Sequence, residues 1–65
     1  MKNLVKVERA RLNLTQGQLA ENLGVSRQTI NAIEKGKFNP SVTLAIKMAR
    51  LFSLSVEEVF LLEES

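Results

Sequence analysis

Two hydroxyl caps, Thr15 and Ser26, and two helix-ending glycines, Gly24 and Gly36, punctuate the stretch from Leu14 to Gly36, and their spacing admits two short helices joined by a tight turn. Thr15 and Gln18 have the spacing of a capping box, in which the hydroxyl takes the backbone N–H three residues on and the glutamine reaches back. A helix then runs from Gln16 to about Leu23, with Leu19, Ala20 and Leu23 inward. Gly24 supplies the positive φ that ends it abruptly. Ser26 caps a second helix, Arg27 to Lys35, which turns Ile30 and Ile33 inward and is preceded by Val25. Gly36 stands where a helix-terminating glycine belongs.

Helices that cross steeply through a three-residue turn need a small residue at the crossing, a turn residue free to take positive φ, and apolar contacts on both inner faces. Ala20, Gly24 and the set Leu19, Leu23, Val25, Ile30 and Ile33 meet those needs. An ordinary helical pair in a small bundle would explain the apolar spacing. It would not explain why Arg27, Gln28, Thr29 and Asn31 make the outer face of the second helix polar.

Around this unit the chain predicts three more helices. Val5, Arg9 and Leu12 share one face of a first helix that stops at Asn13, a residue tolerant of the left-handed conformation. Pro40 pushes Asn39 out of helical geometry, so 37–40 is a loop. Ser41 then caps a helix to about Phe52, with Leu44, Ala45, Met48, Ala49 and Phe52 at core spacing. Ser53-Leu54-Ser55 breaks the pattern, and Ser55 with Glu58 forms a second capping box for a short last helix.

Composition narrows the function. At 65 residues the chain is one domain, and it buries only about 60% of its unfolded surface, so association would help it. With no cysteine and no histidine it lacks disulfides, the commonest metal ligand and the commonest general base, so neither catalysis nor a cofactor is expected. No apolar run approaches the ~20 residues of a membrane span, and no signal-peptide pattern is present; a cytoplasmic protein is expected. Residues 1–50 carry nine Lys and Arg against three Glu, a balance of 9 − 3 = +6. Residues 51–65 carry four Glu and no base, a balance of −4. A basic body with an acidic end suits a phosphate-facing surface and a separate role for the tail.

The pattern T-Q-x-x-L-A-x-x-L-G-V-S-R-Q-T-I-x-x-I-E-x-G-x-x-x-P-S resembles the Cro/C1-type (Xre-family) helix-turn-helix regulators, over about Val5 to Phe60. The resemblance implies an all-α, five-helix, lambda-repressor-like DNA-binding domain, with its motif at about 16–35 and homodimers on palindromic operators. It further pairs Arg9 of the first helix with Glu34 of I-E-x-G, an internal clamp in which losing one partner would strand a partly buried charge and cost ~3–5 kcal/mol. It also assigns a phosphate contact to Gln16, which sits where helix N–H groups favour an anion.

In this geometry the start of the second motif helix enters the major groove. Arg27, Gln28, Asn31 and Ala32 are the candidate base readers: arginine suits guanine, glutamine or asparagine adenine, and an alanine methyl the thymine methyl. Gln28 is the first choice, while Arg27 fits a base or a phosphate equally. Gln16, Ser26, Thr29, Lys35, Lys37 and Asn39 are the candidate phosphate contacts. Glu8 is expected to pair with Arg11 on the surface.

Val59, Phe60, Leu61 and Leu62 crowd four apolar residues at the end of a small chain. With Val56 they make 55–65 the candidate dimerisation segment, and Met1 to Val5 can pair as a strand with Phe60 to Glu63. The expected function is a sequence-specific repressor of transcription bound to double-stranded DNA as a homodimer, with no membrane or small-molecule partner. An antitoxin-type autoregulator would need a longer tail to wrap its toxin. A protein-interaction module on the same fold would have lost the polarity of Arg27, Gln28 and Asn31.

Overall fold

Four helices of this protein end in the same closure, and that closure sets the fold's compact turns. In the computed structural model, which describes residues 2–62, α1 spans Val5–Arg11, α2 Gln16–Leu23, α3 Arg27–Glu34, α4 Val42–Phe52 and α5 Val56–Val59. Beyond α1 to α4 the chain turns through one left-handed residue each time: Asn13 (φ 58°), Gly24 (φ 72°), Gly36 (φ 74°) and Ser53 (φ 58°). The following N–H then reaches back five residues, as in Val25 N to Ala20 O at 3.0 Å and Lys37 N to Ala32 O at 2.9 Å. Each closure satisfies carbonyls that a helix end otherwise leaves open.

The starts are equally local. Thr15 accepts from the Gln18 N–H while the Gln18 side chain accepts from Thr15, and Ser55 and Glu58 repeat the arrangement. Ser26 and Ser41 cap α3 and α4 through the Thr29 and Leu44 N–H groups. The helix bounds agree with the sequence expectation, except that Leu12 and Lys35 stand as C-terminal caps just outside α1 and α3.

Strands β1 (Lys2–Asn3) and β2 (Phe60–Leu61) join the two ends of the chain antiparallel, Lys2 opposite Leu61 and Asn3 opposite Phe60. Leu4 N donates to Val59 O at 2.8 Å and continues the tie. The pairing is shorter than expected: Val5 opens α1 instead and Leu62 lies beyond β2, while Met1 and Glu63, also expected in it, lie outside the described residues.

The core gathers one side of every helix. Val5, Leu19, Ile30, Ile33, Met48, Phe52 and Val59 are fully enclosed, and Ala20 is buried as α2 packs against α3. No buried polar side-chain atom lacks a hydrogen-bond partner among the described residues. Arg11, expected to pair only with Glu8, does so at 2.6 Å and also donates from Nη2 to the Phe52 carbonyl at 3.0 Å. A cation there meets the negative end of the α4 dipole.

Candidate nucleic-acid interface

The side of α3 opposite Ile30 and Ile33 is polar and open. Arg27 and Gln28 are exposed there, while Asn31 and Ala32 are half-buried, less open than their positions in the sequence predict. Asn31 is drawn against Gln16, and Ala32 lies under the turn that returns Lys37 N to its carbonyl. Ser26 holds the start of α3: its Oγ accepts the Thr29 N–H at 3.1 Å and lies 2.9 Å from Thr29 Oγ1. Neither α2 nor α3 has an acid in its first turn, so the N–H-rich ends of both helices carry no competing anion.

Four side chains from three helices meet behind this face. Arg9 Nε donates to Glu34 Oε2 at 2.7 Å, Nη2 to Oε1 at 3.3 Å, and Nη1 to the Leu14 carbonyl at 2.8 Å. The Arg9 and Glu34 side chains are only 16% and 5% exposed, and the hydrogen bond to Glu34 raises the Arg9 pKa further above its usual value. Gln16 Nε2 donates to Glu34 Oε1 at 3.0 Å and to Asn31 Oδ1 at 3.3 Å. Glu34 thus accepts from both α1 and α2 while standing in the last turn of α3.

Two open concavities flank the network. One, of about 320 Å³, is lined by Gln16, Arg27, Gln28 and Asn31. The other, of about 450 Å³, is lined by Arg9, Thr15, Gln16, Gly17 and Arg27 at the N-terminus of α2. Gln16 and Arg27 belong to both, so the start of α2 and the start of α3 form one continuous surface. Because both Nε2 hydrogens of Gln16 point inward, its side chain offers outside only an acceptor oxygen. The groups at this helix end suited to an anion are the backbone N–H groups and the Arg27 guanidinium.

Lys35, Lys37 and Asn39 are exposed just beyond α3. Arg27, Lys35 and Lys37 form no ion pair among the described residues, which leaves their charges available. One further contact has no local sequence signal: Asn3 donates from Nδ2 to the Ile33 carbonyl at 2.7 Å and ties β1 to the end of α3.

At the opposite end of the chain, Val59 and Phe60 are buried in the chain's own core and Val56 is half-buried. Leu61 and Leu62 remain 38% and 83% exposed. The rest of the candidate dimerisation segment, 63–65, lies outside the described residues.

Two short helices crossing through a glycine turn, with a polar outer face on the second, define a helix-turn-helix domain. The helix-turn-helix family model matches residues 5–59, and the chain belongs to that family. An uncharacterized HTH-type transcriptional regulator of Methanocaldococcus jannaschii is 56% identical over 64 residues, covering 98% of this chain and 97% of that protein. The uncharacterized HTH-type transcriptional regulator YgzD of Bacillus subtilis is 53% identical, again over 98% of this chain and 97% of its own. Among solved structures, the hypothetical transcription factor NHTF from Neisseria superimposes with a TM-score of 0.75 at 22% identity. The match takes in 83% of this chain and 61% of the length of NHTF, and it shows the shared fold.

Proposed function

We propose that this protein is a sequence-specific DNA-binding regulator of transcription, a repressor that occupies a palindromic operator as a homodimer. The observation that carries the reading is the surface shared by Arg27, Gln28, Gln16 and Asn31, at the N-terminal ends of two helices free of acids. Arg27 and Gln28 offer the donors and acceptors that base edges take, and the helix ends, Arg27, Lys35 and Lys37 offer charge and N–H groups to phosphates. Relatives named HTH-type transcriptional regulators support the same reading.

Exposed leucines and scale support the dimer. Val59 and Phe60 are consumed by the core, so Leu61 and Leu62, together with the free edge of the terminal sheet, are the part of the segment left for a second copy. The longest dimension of one copy is 34 Å, and two-fold related reading helices stand about 34 Å apart on one face of B-DNA. Bound across a promoter, such a dimer represses by excluding polymerase.

Selection of bound duplexes from a random pool tests the proposal. A symmetric motif with half-sites one helical turn apart is expected; enrichment of no motif would overturn it. Sedimentation equilibrium showing only monomer at high micromolar concentration would remove the dimer.

A further inference from the structure

We infer that Gln16 fixes the amide of Asn31 with its oxygen toward Gln16, so that Asn31 meets DNA chiefly through its Nδ2 donor and favours a base edge rich in acceptors. The inference rests on the proposed DNA-reading role of α3 and assigns Asn31 a narrower part in it.

The orientation follows from a chain of forced polarities that starts at a charge. Arg9 can only donate, and its Nε and Nη2 both point at the Glu34 carboxylate. The carboxylate can only accept, so the Gln16 atom 3.0 Å from Glu34 Oε1 must be the amide nitrogen rather than the oxygen. That nitrogen has a second hydrogen, and the Asn31 atom 3.3 Å from it must accept: it is Oδ1. The Asn31 Nδ2 group is then the end left for a ligand, on the concavity that Asn31 lines with Arg27 and Gln28. Turning the Asn31 amide over would set two N–H donors against each other and leave Gln16 short of an acceptor.

A free asparagine pairs with adenine by accepting from N6 and donating to N7. With Oδ1 held on Gln16, one of its two lone pairs is used and its direction is set, which weakens the accepting half of that pair. Nδ2 keeps only the N7 contact on adenine, beside the N6 donor, whereas it suits the guanine edge better, where O6 and N7 both accept, or thymine O4. The prediction differs from what asparagine in isolation implies, and it depends on a residue of a different helix.

Duplex selection with the wild type, Gln16→Ala and Asn31→Asp, each checked for an unchanged melting temperature, tests this. The wild type is expected to favour guanine or thymine over adenine at one position per half-site, on the order of tenfold. Gln16→Ala frees the Asn31 oxygen and should admit adenine there. Asn31→Asp leaves an acceptor on that side and should move the preference toward cytosine, whose N4 donates. Adenine chosen by the wild type at the Asn31-dependent position would overturn the inference. So would a motif that neither substitution alters, with sequence-specific binding left intact. A wild type that enriches no motif removes the DNA-reading role itself, and this assignment with it.

Discussion

Asn3 and Ile33 are thirty residues apart, yet the Asn3 amide nitrogen lies 2.7 Å from the Ile33 carbonyl oxygen and closes the last turn of α3 onto strand β1. The same side chain accepts the Val5 N–H at 3.1 Å, at the start of α1. One asparagine therefore joins the terminal sheet, the first helix and the helix that carries the candidate base readers.

Replacing Asn3 with alanine leaves a part-buried carbonyl and a helix-start N–H with one partner fewer. The expected loss is about 1–2 kcal/mol in urea unfolding, with a fall in Tm of several degrees for a domain this small. Unchanged stability would show that the contact is dispensable.

Arg9 and Glu34 should be coupled strongly, because each single substitution strands a largely enclosed charge. Alanine at either position is expected to cost about 3 kcal/mol, and the double variant much less than the sum. Additive costs in the double-mutant cycle would contradict the clamp. The Glu34 substitution should also loosen Gln16, which shares the same carboxylate.

Much of this architecture is legible from the chain. The Thr15, Ser26, Ser41 and Ser55 caps and the Gly24 and Gly36 stops are local, so residue type and spacing identify them. Ser53 is harder, since a serine with φ 58° has no residue-type signal and is held by the closure of α4 around it. Arg9 with Glu34 is recognisable only through the family pattern. Asn3 to Ile33 and Arg11 to Phe52 are side-chain-to-carbonyl contacts across the fold, and any residue supplies a carbonyl, so sequence carries no mark of the partner. The four terminal apolar residues read as one group, but the pairing of β2 with β1 encloses Phe60 and leaves Leu61 outside.

Acid should weaken the C-terminal end through Glu58. The Ser55 N–H donates to its Oε1 at 2.8 Å, and this backbone hydrogen bond, followed by the Ser55 hydroxyl, lowers its pKa from the ordinary 4.5. A carboxylate held more acidic in the folded state contributes stability above about pH 4.5. That contribution is lost as pH falls through the lowered value. Hydrogen exchange at Ser55 and across α5 should rise in that range in the wild type. Glu58→Gln, which keeps an acceptor without a charge, should lack this part of the dependence. Identical acid profiles for the two proteins would rule out the contribution.

The central claim is that the outer face of α3 reads bases while the residues around it grip phosphates, and Gln28 and Lys37 separate the two roles. The most direct measurement is the affinity of Gln28→Ala and Lys37→Ala for the selected operator and for a scrambled duplex across a salt series. Gln28→Ala should lose about 1–3 kcal/mol on the operator and almost nothing on the scrambled duplex. Lys37→Ala should weaken both alike and reduce the salt slope by about 1. Equal loss on both duplexes for Gln28→Ala, or no loss at all, would contradict the claim.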